Sequence, residues 1–163
     1  MKRTLALRSL VVVVLAAVLG GATAGVANAD TIALPAGVGC EFALTVTFEG
    51  QNVTTHEFTT DDGTAKVLLA GKGNDLTFTN AETGESLFFK SLGYRETSVT
   101  NPDGSGTSTS SGTVGLILFP TDSPAGPSTT LIQGRLVYDF TATADFTVKS
   151  VSGNVTDICA ALS

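Results

Sequence analysis

From Cys40 to Glu49 the chain alternates without a break. Cys40, Phe42, Leu44, Val46 and Phe48 are separated by Glu41, Ala43, Thr45, Thr47 and Glu49. A period of two places one set on each face of a strand, so this stretch predicts a half-buried β-strand. Val53–Thr60, Thr64–Ala70 and Asp75–Asn80 read the same way, separated by turn sequences at Gly50-Gln51-Asn52, Asp61-Asp62-Gly63 and Gly71–Asn74. A longer strand is expected from Ser86 to about Thr100, with a bulge or bend near Leu92-Gly93 where the alternation breaks. The Ser/Gly/Thr-rich stretch NPDGSGTSTSSG (101–112) predicts a solvent-facing loop tip.

A sixth strand carries VGLILF and ends at Phe119, before the proline-rich loop Pro120–Ser128. In the seventh, Thr129–Thr141, Ile132, Leu136, Tyr138 and Phe140 oppose Gln133, Arg135 and Asp139. The eighth runs from Ala144 to Ser152, with Phe146 and Val148 inward. Helical periodicity is confined to a final turn at Cys159–Leu162.

Eight strands joined mostly by short turns predict sequential antiparallel pairing in a single all-β domain. A meander leaves two unpaired edges, and closure removes them. An eight-stranded up-and-down barrel is therefore the favoured architecture, with a β-sandwich second. The expected inward set is Phe42, Leu44, Val46 and Phe48 with Leu136, Tyr138, Phe140, Phe146 and Val148, and Phe42 and Phe140 are its expected anchors.

The first 29 residues stand apart. Lys2, Arg3 and Arg8 precede ten uninterrupted apolar residues, Leu10–Leu19, and Ala27-Asn28-Ala29 is a small-x-small site before Asp30. This is the layout of a secretory signal peptide, and the apolar run is too short to span a bilayer, which takes ~20 residues. The expected division is a signal peptide at 1–29 and a secreted domain at 30–163, released without membrane insertion. Residues 30–163 hold six basic and fifteen acidic residues, a net charge of −9. That balance argues against nucleic acid and anionic membranes as partners.

An exported chain meets an oxidising compartment, so two cysteines predict a disulfide, Cys40–Cys159. Two thiols and one histidine fall short of the four ligands of a structural zinc site. Closing so long a loop contributes about 4 kcal/mol in the chain-entropy model. The bond also requires the two ends of the domain to be neighbours. In a closed meander it clasps the seam between the first and last strands.

Candidate chemistry is sparse. His56 neighbours Glu57, but adjacent strand residues point to opposite faces, so the carboxylate is poorly placed to orient the ring. No serine has Gly-x-Ser-x-Gly around it. Asp61-Asp62-Gly63 and Gly71–Asp75 have some character of calcium loops and more of ordinary turns. Asn52-Val53-Thr54 and Asn154-Val155-Thr156 match the glycosylation sequon. Glycoside hydrolysis needs only two carboxylates close in space, and the sequence singles out no pair. Nine phenylalanines, two tyrosines and no tryptophan assign the aromatics mainly to core. Arg95, Arg135 and Tyr138 are the candidate ligand-site residues. The two arginines lie within long strands of a cation-poor chain, where a barrel mouth could use them to hold a carboxylate or phosphate. Asp139 is the expected partner of Arg135 if that arginine instead faces outward.

The Ala/Val-rich N-terminal segment, FPTDSPAGPSTTLIQGRLVYDF (119–140) and the terminal DICAAL (157–162) together resemble small secreted β-proteins of high-GC Gram-positive bacteria such as streptomycetes. The resemblance covers most of residues 30–163. It implies a source and an extracellular or cell-wall location, and it carries over no catalytic residue and no cofactor.

The expected function is a non-enzymatic secreted β-domain that binds a small apolar ligand or a surface partner. The alternative is a small secreted enzyme or isomerase using a barrel cavity. A polar cavity with a perturbed ionisable group points to the enzyme. A filled apolar interior points to a structural or surface-binding role.

Overall fold

The computed structural model describes residues 29–163. The expected signal segment, up to residue 28, lies outside the described residues. In chain order the strands are β1 (Asp30–Leu34), β2 (Leu44–Glu49), β3 (Asn52–Thr59), β4 (Ala65–Lys72), β5 (Asp75–Asn80), β6 (Ser86–Phe89), β7 (Tyr94–Thr100), β8 (Gly106–Leu118), β9 (Ser128–Phe140) and β10 (Phe146–Asp157), followed by one helical turn, α1 (Ile158–Ala161). The domain is all-β and antiparallel throughout these pairings.

The strands form two sheets rather than one closed barrel. A four-stranded sheet has the order β1-β2-β5-β6, and a six-stranded sheet the order β10-β9-β8-β7-β4-β3. The expected single meander fails at three connections: the chain changes sheet between β2 and β3 at Gly50-Gln51, between β4 and β5 at Gly73-Asn74, where a hairpin turn was expected, and between β6 and β7 at Leu92-Gly93. The stretch 86–100 is two strands, β6 and β7, which belong to different sheets. Gly93, at φ 103°, sits in the last of these connections. The arrangement is nearer to the sandwich alternative. One core joins Leu44, Val46, Leu76 and Phe78 of the smaller sheet to Leu131 of β9 and to Ile158 and Leu162 at the chain end.

The larger sheet is strongly curled. Leu118 pairs with Ser128 at one end of β9, and Phe146 pairs with Phe140 at the other. A straight β9 would separate these ends by ~40 Å. Yet Ser123, five residues after Leu118 and so within ~18 Å of it, bridges to Thr147. The β8–β9 ribbon therefore folds back on itself. Its crease follows a cross-strand row, Gly71–Tyr94–Gly112–Gly134–Gly153. A Cβ at Gly112 would strike the Gly93 carbonyl oxygen, and one at Gly134 the Ser152 carbonyl oxygen. Only glycine lets these backbones approach so closely.

Inside the curl lies a second core of Val114, Ile132, Leu136, Tyr138 and Phe146, with Leu116, Phe140 and Val148 packed against it. The predicted inward set is thus divided between two cores. Phe42 and Phe140 are only half-buried, whereas Phe78 is fully buried and was not among the expected anchors. The 101–112 stretch corrects another expectation. From Gly106 onward it is strand, with Ser108 and Ser110 buried and Thr107 exposed. A Ser/Thr-only alternation carries no hydrophobic period, so composition alone made it look like a loop.

The disulfide Cys40–Cys159 is present, with Cα atoms 5.4 Å apart. Cys40 precedes β2 and Cys159 lies in α1, so the bond ties the smaller sheet to the end of the larger one instead of clasping a barrel seam. Asn80 reinforces the tie by donating from Nδ2 to the Leu162 carbonyl at 2.9 Å.

Candidate functional site

β7 stops at Tyr94, opposite Gly112, so Thr113–Leu118 of β8 has β9 on one side and no strand on the other. A cavity of about 80 Å³, partly open to solvent, runs along this uncovered edge. It is several times the space one water needs. The smaller sheet contributes Val46, Phe48, Leu76 and Phe78 to its wall, and the curled sheet contributes Val114, Leu116, Leu136 and Phe146. Gly115 lines it without a side chain. A Cβ there would meet only Phe78 at 3.6 Å and Leu76 at 3.7 Å, ordinary contact distances.

Tyr94, Ser110 and Tyr138 give the wall a polar patch, and Glu96 lies behind them. Glu96 is 1% exposed. Its Oε2 accepts the Tyr94 hydroxyl, and its Oε1 accepts the Ser108 hydroxyl at 2.6 Å. Among the described residues no lysine or arginine forms an ion pair with it. Its cross-strand neighbours are Leu69 and Ser110. Burial, and next the charge of Glu96, push both the Tyr94 and Tyr138 phenols well above their ordinary range. Both rings therefore stay protonated through neutral and mildly basic pH. Tyr138 is packed edge-on against Phe146, with ring centroids 5.1 Å apart.

Of the predicted site residues, Tyr138 lines this cavity. Arg95 and Arg135 do not. Each precedes an inward residue, Glu96 or Leu136, and so faces the opposite side of the sheet. There they flank Ser111 in one cross-strand row, both exposed. Asp139 pairs with Lys149 at 3.3 Å and accepts the Thr107 hydroxyl at 2.7 Å, rather than partnering Arg135. Residues i and i+4 of a strand are ~13 Å apart, beyond the reach that this spacing gives on a helix.

The turn carboxylates are used locally. Asp62 accepts the Thr60 hydroxyl and the Thr64 N–H, and these bonds, the hydroxyl foremost, lower its pKa. Asp75 accepts the Ser91 N–H at 2.8 Å and pairs with Lys72 at 3.3 Å. Among the described residues no three His, Cys, Asp or Glu side chains gather as a metal site. His56 is exposed on β3, an edge strand.

Sequence reasoning missed Tyr94, Glu96, Ser108 and Ser110. Tyr94 and Glu96 are two residues apart on a strand and so share a face, a signal present in the sequence. Their serine partners lay in the stretch read as loop. No helix among the described residues is long and apolar enough to cross a membrane. Compared with known proteins, the chain matches no family model, no curated protein and no solved structure.

Proposed function

We propose that this chain is an exported, non-enzymatic β-domain that binds a small apolar ligand in the cavity along the β8 edge. The observation that carries this reading is the cavity itself, walled by aliphatic and phenyl groups from both sheets and supplied with a few convergent polar groups. The disulfide and the layout of residues 1–29 support export. The resemblance to small secreted proteins of high-GC Gram-positive bacteria agrees with it.

The second reading, a secreted enzyme or isomerase working in the same cavity, rests on Glu96, a carboxylate buried beside two cavity tyrosines. Against it, the Tyr94 proton is already held by Glu96, and both phenols are poor proton donors near neutral pH. Native mass spectrometry of the protein purified from culture medium tests the binding role. A discrete small-molecule adduct, released on denaturation, is the expected result. Bare protein that also fails to take up any added short-chain apolar compound would overturn it.

A further inference from the structure

Resting on that ligand-binding reading, we infer that the ligand is a small amphiphile with an apolar tail and a protonated amine head. The tail lies between the sheets, and the head sits against Tyr94, Ser110 and Tyr138. Three observations converge. First, Glu96 is buried without a cation among the described residues, and a buried carboxylate is costly unless it is paired. Second, the Tyr94 and Ser108 hydroxyls point their protons at Glu96. The Tyr94 proton that could have served an acceptor ligand is thus engaged, and its oxygen, beside the Ser110 hydroxyl, keeps acceptor capacity at the cavity wall. Third, the wall around this patch is aromatic, with Phe78, Phe146 and the two tyrosine rings, a surface that attracts cations through its ring faces.

An ammonium donating to the phenol and serine oxygens would lie one hydrogen bond from the Glu96 charge. A carboxylate or phosphate head would meet the same charge with the opposite sign. Glu96 acts here as a positioning residue, setting the direction of the Tyr94 hydroxyl and the sign of the potential.

The test compares three six-carbon probes, n-hexylamine, n-hexanol and hexanoate, by NMR chemical-shift titration at pH 7. The amine should bind on the order of tenfold tighter than the alcohol, the gain typical of a hydrogen bond to a charged group, and hexanoate weakest. In Glu96→Gln the amine should fall to within about twofold of the alcohol, while alcohol binding is retained. Tyr138→Phe, which keeps the ring, should reduce the amine preference and spare the alcohol. If Glu96→Gln does not fold, the order of the three probes on the wild type still decides. Hexanoate binding as tightly as the amine would overturn the charge assignment and leave the cavity reading standing. Absence of binding by all three would overturn the cavity reading itself.

Discussion

The carboxylate of Asp122 accepts the backbone N–H of Phe146 at 2.7 Å, and its other oxygen accepts that of Phe119 at 2.6 Å. One side chain thereby joins the end of β8 to the start of β10. It fastens the curled sheet at the place where pairing would have to continue for a barrel to close. Asp122 lies within the proline-rich loop, and it is only 6% exposed. Asp122→Ala leaves two N–H groups without their acceptor and should lower stability by ~2–4 kcal/mol, read by urea denaturation. An alanine variant within ~0.5 kcal/mol of wild type would mean the fastening contributes nothing.

Core truncations should rank by burial and not by ring type. Phe78 is 1% exposed and packs edge-on against Phe89, whereas Phe42 is half-buried at the margin of the same core. Phe78→Ala should cost ~3–5 kcal/mol, and Phe42→Ala roughly half of that or less. Equal losses would show that the shared core is not centred where the two sheets meet.

The Cys40–Cys159 bond spans 119 residues of sequence and ties the two sheets together at the chain end. Cys159→Ser should therefore lower the unfolding free energy, by up to ~4–5 kcal/mol in the chain-entropy model, and the denaturation midpoint with it. Non-reducing peptide mapping should recover Cys40 and Cys159 in one linked peptide pair. Two alkylatable thiols in the native protein would contradict the arrangement.

The two tyrosines are the chain's only ones, and it has no tryptophan, so phenolate absorbance reads Tyr94 and Tyr138 alone. Both folded-state values are raised above the ordinary phenol value of about 10. Their contribution to stability is therefore complete below that pH and is lost as pH rises past it, because the unfolded chain ionises first. Absorbance at the phenolate band should stay flat through pH 10–11 and rise only together with loss of the folded circular dichroism signal. A smooth titration centred near 10 in the folded protein would place the phenols in water.

Much of the fold was legible wherever one face of a strand is apolar. β5 was read to the residue, and β2, β3, β4 and β9 to within a few. Three features were not legible. β1 is five residues long, too short for its alternation to stand out. The broken alternation at Leu92-Gly93 marked a bend, but a hydropathy pattern does not record that the chain changes sheet there, nor that it does so between β2 and β3 and between β4 and β5. The first half of β8 is a strand whose inward side chains are serines, stable there because Glu96 gives Ser108 an acceptor. The site followed the same division. The inward position of Tyr138 was legible through its place in an apolar alternation. Glu96 escaped because a buried carboxylate makes sense only once its hydroxyl partners on β7 and β8 are brought beside it.

The cavity's role is tested most directly by filling it. Gly115 lines the cavity, and a Cβ there meets Phe78 and Leu76 at ordinary contact distances, so larger side chains must extend into the cavity. Valine favours a strand interior over glycine, so Gly115→Val should fold at least as stably as the wild type. The measurement is a pair of n-hexanol titrations followed by amide chemical shifts. Saturable shifts at Val114, Leu136 and Tyr138 in the wild type, abolished in Gly115→Val, are the predicted result. Indistinguishable isotherms for the two proteins, or no saturable shifts in the wild type, would contradict a ligand site between the sheets.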